Sequence, residues 1–429
     1  MLFLLMSIFK IIFRKNQCIF AKIEKNMKKL LVLFFCVVTF VSCEKDHDDH
    51  DDYEDFQQIK VAALLSQTGD WSNLGITSKA ALEIAVDKIN ADFKCRHIPF
   101  RFALTVFETQ LDPVIAAQTV ENISSSGYKF IIGPQSSAEL ALVKPIADSL
   151  GILVVSQGST ASSLAIANDM IFRFVPGDQI EGAALANSIK NAGKQALVTL
   201  ARNDAGNLGL QSSVGNNFTN LGGNVISVGN YETTTTDFTS ILADVKSQIV
   251  GLNSIYTNDQ IAVYLASFDE AVTLFNQASS DPILSGVNWY GGDGFVKNSA
   301  VLQDPLAAQF AVTTHFFCPD FGLPMSTEYL WSSVITSING MTGIQSDAYT
   351  LAAYDAMYVI SKLIENEEGI PASTTALQST FLSASNGFSG ATGVISLNEN
   401  GDRSSGSFNY WGLENVNGTY QWVFVGQSE

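Results

Sequence analysis

The chain has 429 residues, of which 46% are hydrophobic, so it is long and apolar enough for two or three folded domains and is not a disordered protein. The formal net charge is −18, and residues 1–42 carry a net +6, which leaves −24 on the remainder. Such an acidic chain has nothing to neutralise phosphates, which excludes a general nucleic-acid-binding protein.

The first 42 residues are expected to be a signal and upstream segment rather than part of the fold. Two lysines follow Met27, and the apolar run Leu30–Val41 has the length of a signal-peptide core, which favours Met27 over Met1 as the start. The stretch FVSC resembles a bacterial lipobox, although Phe40 departs from the usual Leu. We therefore expect Cys43 to be lipidated, the alternative being an ordinary secretory signal.

The segment that follows Cys43 is strongly acidic. Residues 44–55 contain eight acidic residues, two histidines and one lysine. They form either a metal-binding tract or a self-repelling tether between the lipid and the folded domain, and we favour the tether for residues 43–55. An acidic patch at this place also resembles a surface-export signal. The expected location is therefore the cell envelope, as an outer-membrane lipoprotein that is periplasmic or surface-exposed.

Few cysteines and histidines remain for chemistry. Cys95 and Cys318 either pair in an oxidising compartment or stay as unpaired, mostly buried thiols, which we expect. With only His97 and His315 beyond the tether and no CxxC motif, we expect no metal site.

From Gln57 onward, apolar runs of strand length alternate with stretches of helical period. A first block of this kind reaches residue 156, and a second runs from about 179 to 292. Alternating strands and helices predict an α/β fold with parallel sheets, and two blocks predict two lobes. Within the blocks, Asp112-Pro113 and Gly151 are typical of a helix start and a helix end. The last hundred residues predict one long helix over 346–365 and antiparallel strands around the turn dipeptide Asn400-Gly401.

The ends of four predicted strands hold the candidate binding residues. Ligands of open α/β sheets bind beyond the carboxyl ends of strands, where this chain reads GPQSS (133–137) and QGST (157–160). Both stretches place uncharged hydroxyls at the start of a predicted helix, which suits either ordinary helix capping or a carboxylate site made of neutral donors. Asp293, between glycines, is either a turn residue or a partner for an ammonium group, and Phe268 is either core or the wall of a cavity.

Catalytic and cofactor motifs are missing from the sequence. It contains no GxSxG, HExxH, P-loop or GxGxxG pattern, so we expect neither an enzyme nor a cofactor.

Three stretches carry a resemblance to a known family: IKVAALLSQTGDWSNLGITSKAALEIAVDKIN, FIIGPQSSAELALVKPIADSLGILVVSQGST and FSGATGVISLNENGDRSSGSFNYW. They resemble type I periplasmic binding proteins, in particular the leucine/isoleucine/valine-binding branch of ABC-transporter solute receptors. The resemblance covers roughly residues 57–429 and implies two Rossmann-like lobes joined by three crossovers. It places the first lobe at 56–176 and 318–404, and the second at 177–317 and 405–429.

The same resemblance implies the roles of individual site residues. The ligand carboxylate would meet the Ser137 hydroxyl and the Thr160 hydroxyl and amide, with Ser159 as a neighbour. The ammonium group would meet the Gly158 carbonyl and Asp293. Walls would come from Leu74, with Trp71 close by, and from Phe268. Two departures, Gly206 in place of a family Tyr and Leu74 in place of a Trp, imply a roomier or differently shaped pocket.

Three functions remain open at this point. The first is a lipid-anchored solute-binding protein that captures a small, branched-chain-like amino acid or a related amphiphile for ABC-type import. The second is a sensor or capture lipoprotein without a cognate permease. The third, an enzyme, has no motif in its favour. The expected partners are a small amino acid or carboxylate, an ABC permease and the membrane through the lipid anchor, with no nucleic acid.

Overall fold

The computed structural model describes residues 56–428. The predicted signal segment, the lipidation site Cys43 and the acidic tether lie outside the described residues and stay predictions. Among the described residues, no helix combines the length and the apolar character that a membrane span requires.

The helices and strands of the described residues follow one another in the predicted alternation through both blocks. The strands are β1 (Gln57–Leu65), β2 (Phe100–Glu108), β3 (Phe130–Ile132), β4 (Leu153–Ser156), β5 (Ile171–Pro176), β6 (Ala196–Arg202), β7 (Asn224–Tyr231), β8 (Ile261–Ala266), β9 (Asn288–Gly291), β10 (Phe317–Phe321), β11 (Ser389–Gly390), β12 (Gly393–Val394), β13 (Asp402–Arg403), β14 (Phe408–Val416) and β15 (Thr419–Gln427). The helices are α1 (Ser72–Cys95), α2 (Pro113–Ile123), α3 (Ser137–Leu150), α4 (Asp178–Asn191), α5 (Ala205–Asn220), α6 (Thr239–Leu252), α7 (Ala271–Ala278), α8 (Pro305–Thr313), α9 (Glu328–Thr342), α10 (Ala348–Asn366) and α11 (Thr374–Ser385).

Two main sheets define two lobes. The first sheet has the order β13-β5-β4-β3-β1-β2, and the second has the order β15-β14-β10-β9-β8-β6-β7. Neighbouring strands are parallel, except that β14 is antiparallel to both β10 and β15 at the edge of the second sheet. Parallel strands joined by helices confirm the predicted α/β class with two lobes.

The chain passes between the two sheets three times, after β5, after β10 and after β13. The middle crossover corrects the expected boundary at 317/318, because Phe317–Phe321 pairs with β9 and β14 of the second sheet. That boundary therefore lies after Phe321. The expected boundaries at 176/177 and 404/405 fall in connections between the sheets.

Both faces of each sheet are covered, which explains the continuously apolar strands. Along β1, Val61 and Ala63 belong to one hydrophobic cluster, whereas Ala62 and Leu64 belong to the cluster on the opposite face. Alternate residues of a strand point to opposite faces, so a strand buried on both sides must be apolar at every position. The second lobe has the same two-sided arrangement.

The predicted helix ends are confirmed at two places. The Asp112 side chain accepts hydrogen bonds from the backbone N–H groups of Val114 and Ile115, with Pro113 in the first position of α2. Gly151 ends α3 with a φ of 60°, a left-handed conformation that costs glycine least.

The stretch QGST does not begin an α-helix, contrary to the prediction. A single 3₁₀ turn, Ser162–Leu164, follows it, and the chain then continues into β5. Helix capping therefore does not explain the hydroxyls of this loop.

The predicted antiparallel pairing around Asn400-Gly401 is present but short. Leu397 and Arg403 form a single antiparallel bridge across the turn, and β11 pairs antiparallel with β12 upstream of it. The strand β13 itself pairs in parallel with β5. The long hairpin lies downstream, between β14 and β15. Its turn is Asn417-Gly418, whose φ angles of 53° and 89° suit a two-residue turn.

Both remaining cysteines are free, as expected, but only one is buried. Cys318 is buried and Cys95 is exposed, so the expectation of burial is wrong for Cys95. Burial raises the pKa of the Cys318 thiol, which keeps it in the unreactive thiol form.

Candidate ligand-binding site

The predicted site residues lie in loops that leave the carboxyl ends of strands in both sheets. Ser137 follows β3, Gly158–Thr160 follow β4, Phe268 follows β8 and Asp293 follows β9. The carboxyl ends of parallel strands share one edge of a sheet, and that edge is where α/β folds bind ligands. Here the two edges meet at the boundary between the lobes.

On the first lobe, three buried hydroxyl residues form what we call the hydroxyl cluster: Ser137, Ser159 and Thr160. The Ser137 Oγ lies 2.9 Å from the Ser159 Oγ and accepts the backbone N–H groups of Thr160 at 3.3 Å and Ala161 at 3.2 Å. Hydroxyl and amide groups converge here without a basic side chain among them, and the Thr160 side chain also hydrogen-bonds the Asp178 carboxylate. This combination suits a carboxylate oxygen.

Two adjacent serines at the start of α3 have different roles: Ser136 caps the helix, and Ser137 belongs to the hydroxyl cluster. The Ser136 hydroxyl accepts the Glu139 N–H at 3.2 Å, while the Glu139 Oε2 accepts the backbone N–H of Ser136 at 3.0 Å, which completes a capping box. Ser137, the first residue of α3, directs its hydroxyl to the neighbouring loop instead.

Gly158 lies where three parts of the first lobe converge. A Cβ at this position would lie 2.6 Å from the Gln135 carbonyl oxygen, 3.0 Å from Trp71 Cη2 and 3.3 Å from Leu74 Cδ2. Gln135 also donates to the Trp71 carbonyl at 2.9 Å and accepts the Ser66 N–H at 3.1 Å. Glycine is therefore required by the close approach of these groups.

An aromatic contact joins the two lobes beside Gly158. The Trp71 ring stacks on Phe268 of the second lobe, with centroids 4.9 Å apart, and meets Tyr349 edge-on at 6.4 Å. Phe268 is buried and packs into the hydrophobic core of the first lobe, which agrees with its interpretation as a core residue, and its role as the wall of a ligand cavity stays a prediction. Trp71, Leu74 and Asp269 line a cavity of about 10 Å³, roughly the space of one water molecule.

On the second lobe, three buried carboxylates form what we call the acidic cluster: Asp178, Glu181 and Asp293. The Asp293 Oδ2 accepts the Tyr349 hydroxyl at 3.0 Å, and the Asp293 N–H donates to the Glu181 Oε1 at 3.2 Å. The Asp178 N–H donates to the Thr160 carbonyl at 2.9 Å. Thr160 therefore links the hydroxyl cluster to the acidic cluster.

Burial raises the pKa values of all three carboxyl groups; repulsion between carboxylates adds to this for Asp293 and Glu181, whereas the Thr160 hydrogen bond and the charge of Arg173 lower the pKa of Asp178. Burial raises the pKa of Asp293 to about 7, and the charge of Asp178 adds to this effect. The pKa of Glu181 is raised well above its usual value by burial, then by Asp293 and Asp178, and burial raises the pKa of Asp178 to about 6. A bound positive charge would offset this repulsion.

A second cross-lobe contact, which we call the latch, joins Arg202 to Asp70. The Arg202 Nη1 contacts the Asp70 Oδ2 of the first lobe at 2.5 Å and the Glu270 Oε2 of its own lobe at 3.1 Å. Beside it, the Trp71 N–H donates to the Asp269 Oδ2 at 3.2 Å. These contacts hold the two lobes against each other.

Comparison with known families identifies the architecture. Residues 77–415 match the family described as the receptor family ligand binding region. The chain belongs to this family. It is also 28% identical to an uncharacterised protein of Methanocaldococcus jannaschii over 368 residues, which cover 82% of this chain and 85% of that protein.

Several solved structures of binding proteins share the fold. A leucine binding protein of Thermotoga maritima superposes with a TM-score of 0.68 at 20% identity, covering 86% of this chain and 98% of that one. A branched-chain amino acid transporter substrate binding protein of Streptococcus pneumoniae, in complex with isoleucine, superposes with a TM-score of 0.66 at 16% identity. The match covers 86% of this chain and 99% of that one. An ABC-transporter solute-binding protein of R. palustris, in complex with benzoate, superposes with a TM-score of 0.67 at 16% identity. The match covers 86% of this chain and 96% of that one. The predicted type I periplasmic binding protein fold is confirmed.

In this family fold, the structure collects every predicted site residue of the described region at the lobe boundary. Ser137, Gly158–Thr160 and Leu74 lie on the first lobe, and Phe268 and Asp293 lie on the second. Their contacts with a ligand stay predictions.

The two departures from the family pattern each lie beside other residues of the site. A Cβ on Gly206 would lie 3.4 Å from the Ser137 Oγ, so α5 and α3 approach each other closely at this position across the lobe boundary. Leu74 and the Trp71 ring both lie next to Gly158. The expectation of a roomier or differently shaped pocket stays a prediction.

Three residues of the site were missed by sequence reasoning. Asp178 and Glu181 lie in the first turn of α4, where an acidic residue is typical of any helix and signals no ligand. Tyr349 lies in the apolar helix α10, whose pattern indicates core. The only sequence signal for an acidic site was the number of acidic residues that follow the ends of predicted strands. Among the described residues, no group of three or more His, Cys, Asp or Glu is arranged to hold a metal ion.

Proposed function

We propose that the protein is a lipid-anchored, extracytoplasmic solute-binding protein that captures a small amino acid or a related amphiphile between its lobes and delivers it to an ABC-type importer. Lobe closure around the ligand is the mechanism of capture.

One observation carries this proposal: the hydroxyl cluster and the acidic cluster adjoin at the lobe boundary, where the backbone N–H of Asp178 donates to the backbone carbonyl of Thr160 at 2.9 Å. The hydroxyl cluster suits a carboxylate and Asp293 suits an ammonium group, and an amino acid carries both. Ser137 and the Thr160 hydroxyl and amide would bind the carboxylate. The Gly158 carbonyl and Asp293 would bind the ammonium group, with Ser159 alongside and walls from Leu74 and Phe268.

The structural neighbours support the same class of ligand. One was solved with isoleucine and another with benzoate, and both of these ligands are small carboxylates. The neighbours are binding proteins by name, which agrees with the expectation of a protein without enzymatic activity.

A thermal-shift screen of the full chain in detergent tests the ligand class. A ligand that binds only the folded state stabilises it by about 2.7 kcal/mol at one hundred times its Kd, which raises the unfolding midpoint. We expect at least one small amino acid to raise the midpoint, while amines and sugars of similar size do not. A flat response to amino acids and to small carboxylates such as benzoate would contradict the proposal.

The lipid anchor has a separate test. Wild-type protein should partition into the detergent phase and Cys43→Ala should not, because the substitution removes the predicted acylation site. A second variant, Cys36→Ala within the signal segment, serves as the control and should partition like the wild type. Unchanged partitioning of Cys43→Ala excludes the anchor.

A second candidate is a surface-exposed capture lipoprotein that works without a permease. The acidic stretch 44–55 favours it, because an acidic patch directly after the predicted lipidation site resembles a surface-export signal. Protease treatment of intact cells separates the two candidates, since only a surface-exposed protein is cleaved.

A further inference from the structure

The acidic cluster contains more carboxylates than a single ammonium group requires. Asp178 and Glu181 have no exposed surface and Asp293 has 8%. The contacts that these side chains accept come from neutral donors, namely the Tyr349 and Thr160 hydroxyls and the backbone N–H groups of Asp293 and Ser162, and the charge of Arg173 acts on Asp178 without an ion pair. An ionised carboxylate buried in this way is costly unless a cation accompanies it.

The cations nearest to the cluster already have partners. Arg173 makes two hydrogen bonds with Asp402, of 2.5 and 2.7 Å, and a third with the Ala161 carbonyl. Lys297 lies 2.6 Å from Asp320. In the part of the chain that the structure describes, no Lys or Arg forms an ion pair with Asp178, Glu181 or Asp293.

Three polar atoms of this region have no hydrogen-bond partner among the described residues: Glu181 Oε2, Asp178 Oδ1 and the Tyr264 hydroxyl. Tyr264 is fully buried, and the charges of Glu181, Asp293 and Asp178 all act on its hydroxyl. The side chain reaches the loop before Asp293, because a Cβ on Gly292 would lie 3.2 Å from its hydroxyl oxygen. Buried polar atoms are normally paired, so three unpaired atoms together indicate a missing polar partner.

We propose that the ligand carries a second positive charge, as a diamino acid such as lysine does, and that Glu181, Asp178 and the Tyr264 hydroxyl receive this second ammonium group. The inference rests on the proposed capture of an amino acid and names its class. A zwitterionic amino acid brings one ammonium group, which Asp293 takes. A second ammonium group has three N–H donors, equal in number to the unpaired atoms.

Equilibrium binding to three related ligands tests the inference. Lysine, norleucine and cadaverine share an unbranched carbon chain, but norleucine lacks the side-chain ammonium group and cadaverine lacks the carboxylate. Calorimetry on the full chain in detergent should give at least tenfold tighter binding of lysine than of norleucine. Glu181→Gln should abolish this preference, so that the ratio of the lysine and norleucine affinities of the variant falls to about one.

Two further variants guard the experiment. Glu121→Gln removes an exposed carboxylate of α2 and should leave the lysine preference unchanged. Tyr264→Phe removes only the unpaired hydroxyl and should weaken lysine two- to fivefold, with norleucine unaffected, so the inference remains testable if Glu181→Gln fails to fold.

The outcomes separate this inference from the proposed function. Equal affinity for norleucine and lysine overturns the proposed site for a second ammonium group and leaves the proposed capture of an amino acid unaffected. Cadaverine binding as tightly as lysine supports the second charge and contradicts amino-acid capture. If none of the three binds, or if Mg²⁺ alone stabilises the wild type but not Glu181→Gln, the inference is overturned.

Discussion

The two sides of the cleft bury polar groups in opposite ways. On the first lobe, the hydroxyl cluster satisfies its own members, since the Ser137 Oγ contacts the Ser159 hydroxyl and accepts two backbone N–H groups. On the second lobe, the acidic cluster gathers like charges and leaves the Glu181 Oε2 and Asp178 Oδ1 atoms without partners. The hydroxyl cluster is therefore hydrogen-bonded without a ligand, whereas a bound cation would offset the repulsion within the acidic cluster. Variants of the second side should therefore have the larger effects on binding.

The largest effect is expected from Asp293→Ala. Loss of the carboxylate leaves the ligand ammonium buried without its partner, which should weaken amino-acid binding by about 3–5 kcal/mol. Isothermal titration calorimetry measures the loss, with Asp87→Asn on the exposed surface of α1 as the control. Unchanged affinity would falsify the role of Asp293.

The next effect is a pH dependence of the protein without ligand. The pKa of Asp293 is about 7 in the folded protein, above its ordinary value, so its contribution to stability is complete at low pH and is lost as the pH rises through 7. Asn cannot ionise, so Asp293→Asn prevents this loss of folding stability and should stabilise the protein at pH 8 by up to about 4 kcal/mol. Denaturant unfolding at pH 5 and pH 8 measures the difference. Equal pH dependence in wild type and variant contradicts the assignment.

Ser137→Ala should have a smaller effect, confined to ligands that carry a carboxylate. A hydrogen bond to a charged group contributes about 1.5–3 kcal/mol, so carboxylate ligands should bind more weakly by about that amount. Ser149→Ala, an exposed serine of the same helix α3, is the matched control. If amines without a carboxylate weaken equally, the hydroxyl cluster is not a carboxylate site.

The smallest effect is expected at the latch. Asp70→Asn removes a partly exposed ion pair to Arg202, and such pairs contribute about 0.2–1 kcal/mol, so ligand affinity should fall less than about fivefold. The effect should shrink in high salt, because ions screen exposed charges. Asp92→Asn breaks an exposed pair with Arg96 away from the cleft and should leave affinity unchanged. A larger loss in Asp92→Asn than in Asp70→Asn would reject the latch.

The two sides also differ in how far sequence alone predicts them. The loops of the first lobe follow short apolar strands and contain hydroxyls next to Gly and Pro, so Ser137 and Thr160 stand out as site residues. On the second lobe, only Asp293 stands out, between its glycines. Glu181 is one acid in the first turn of a helix, and it becomes notable only when the fold buries it against Asp293.

The fold was predictable where one local signal dominates. Two-sided burial makes a central strand apolar throughout, and this pattern predicts the alternation of strands and helices in both blocks. Local signals fail where the partner is distant in the chain. Asn400-Gly401 forms a turn with only one antiparallel bridge, because β13 pairs with the distant β5, and the boundary after Phe321 depends on pairing with β9 and β14.

The pairing of β13 with β5 determines when the first lobe can finish folding during synthesis on the ribosome. Asp402 closes the first sheet by its ion pair with Arg173, across a separation of 229 positions. The lobe that begins first is therefore completed only when almost the whole chain has been synthesised. Contacts between residues so far apart in the chain form slowly, because a long loop must close first. The second lobe lacks only β14 and β15 at that point, so the two lobes should acquire their final form nearly together.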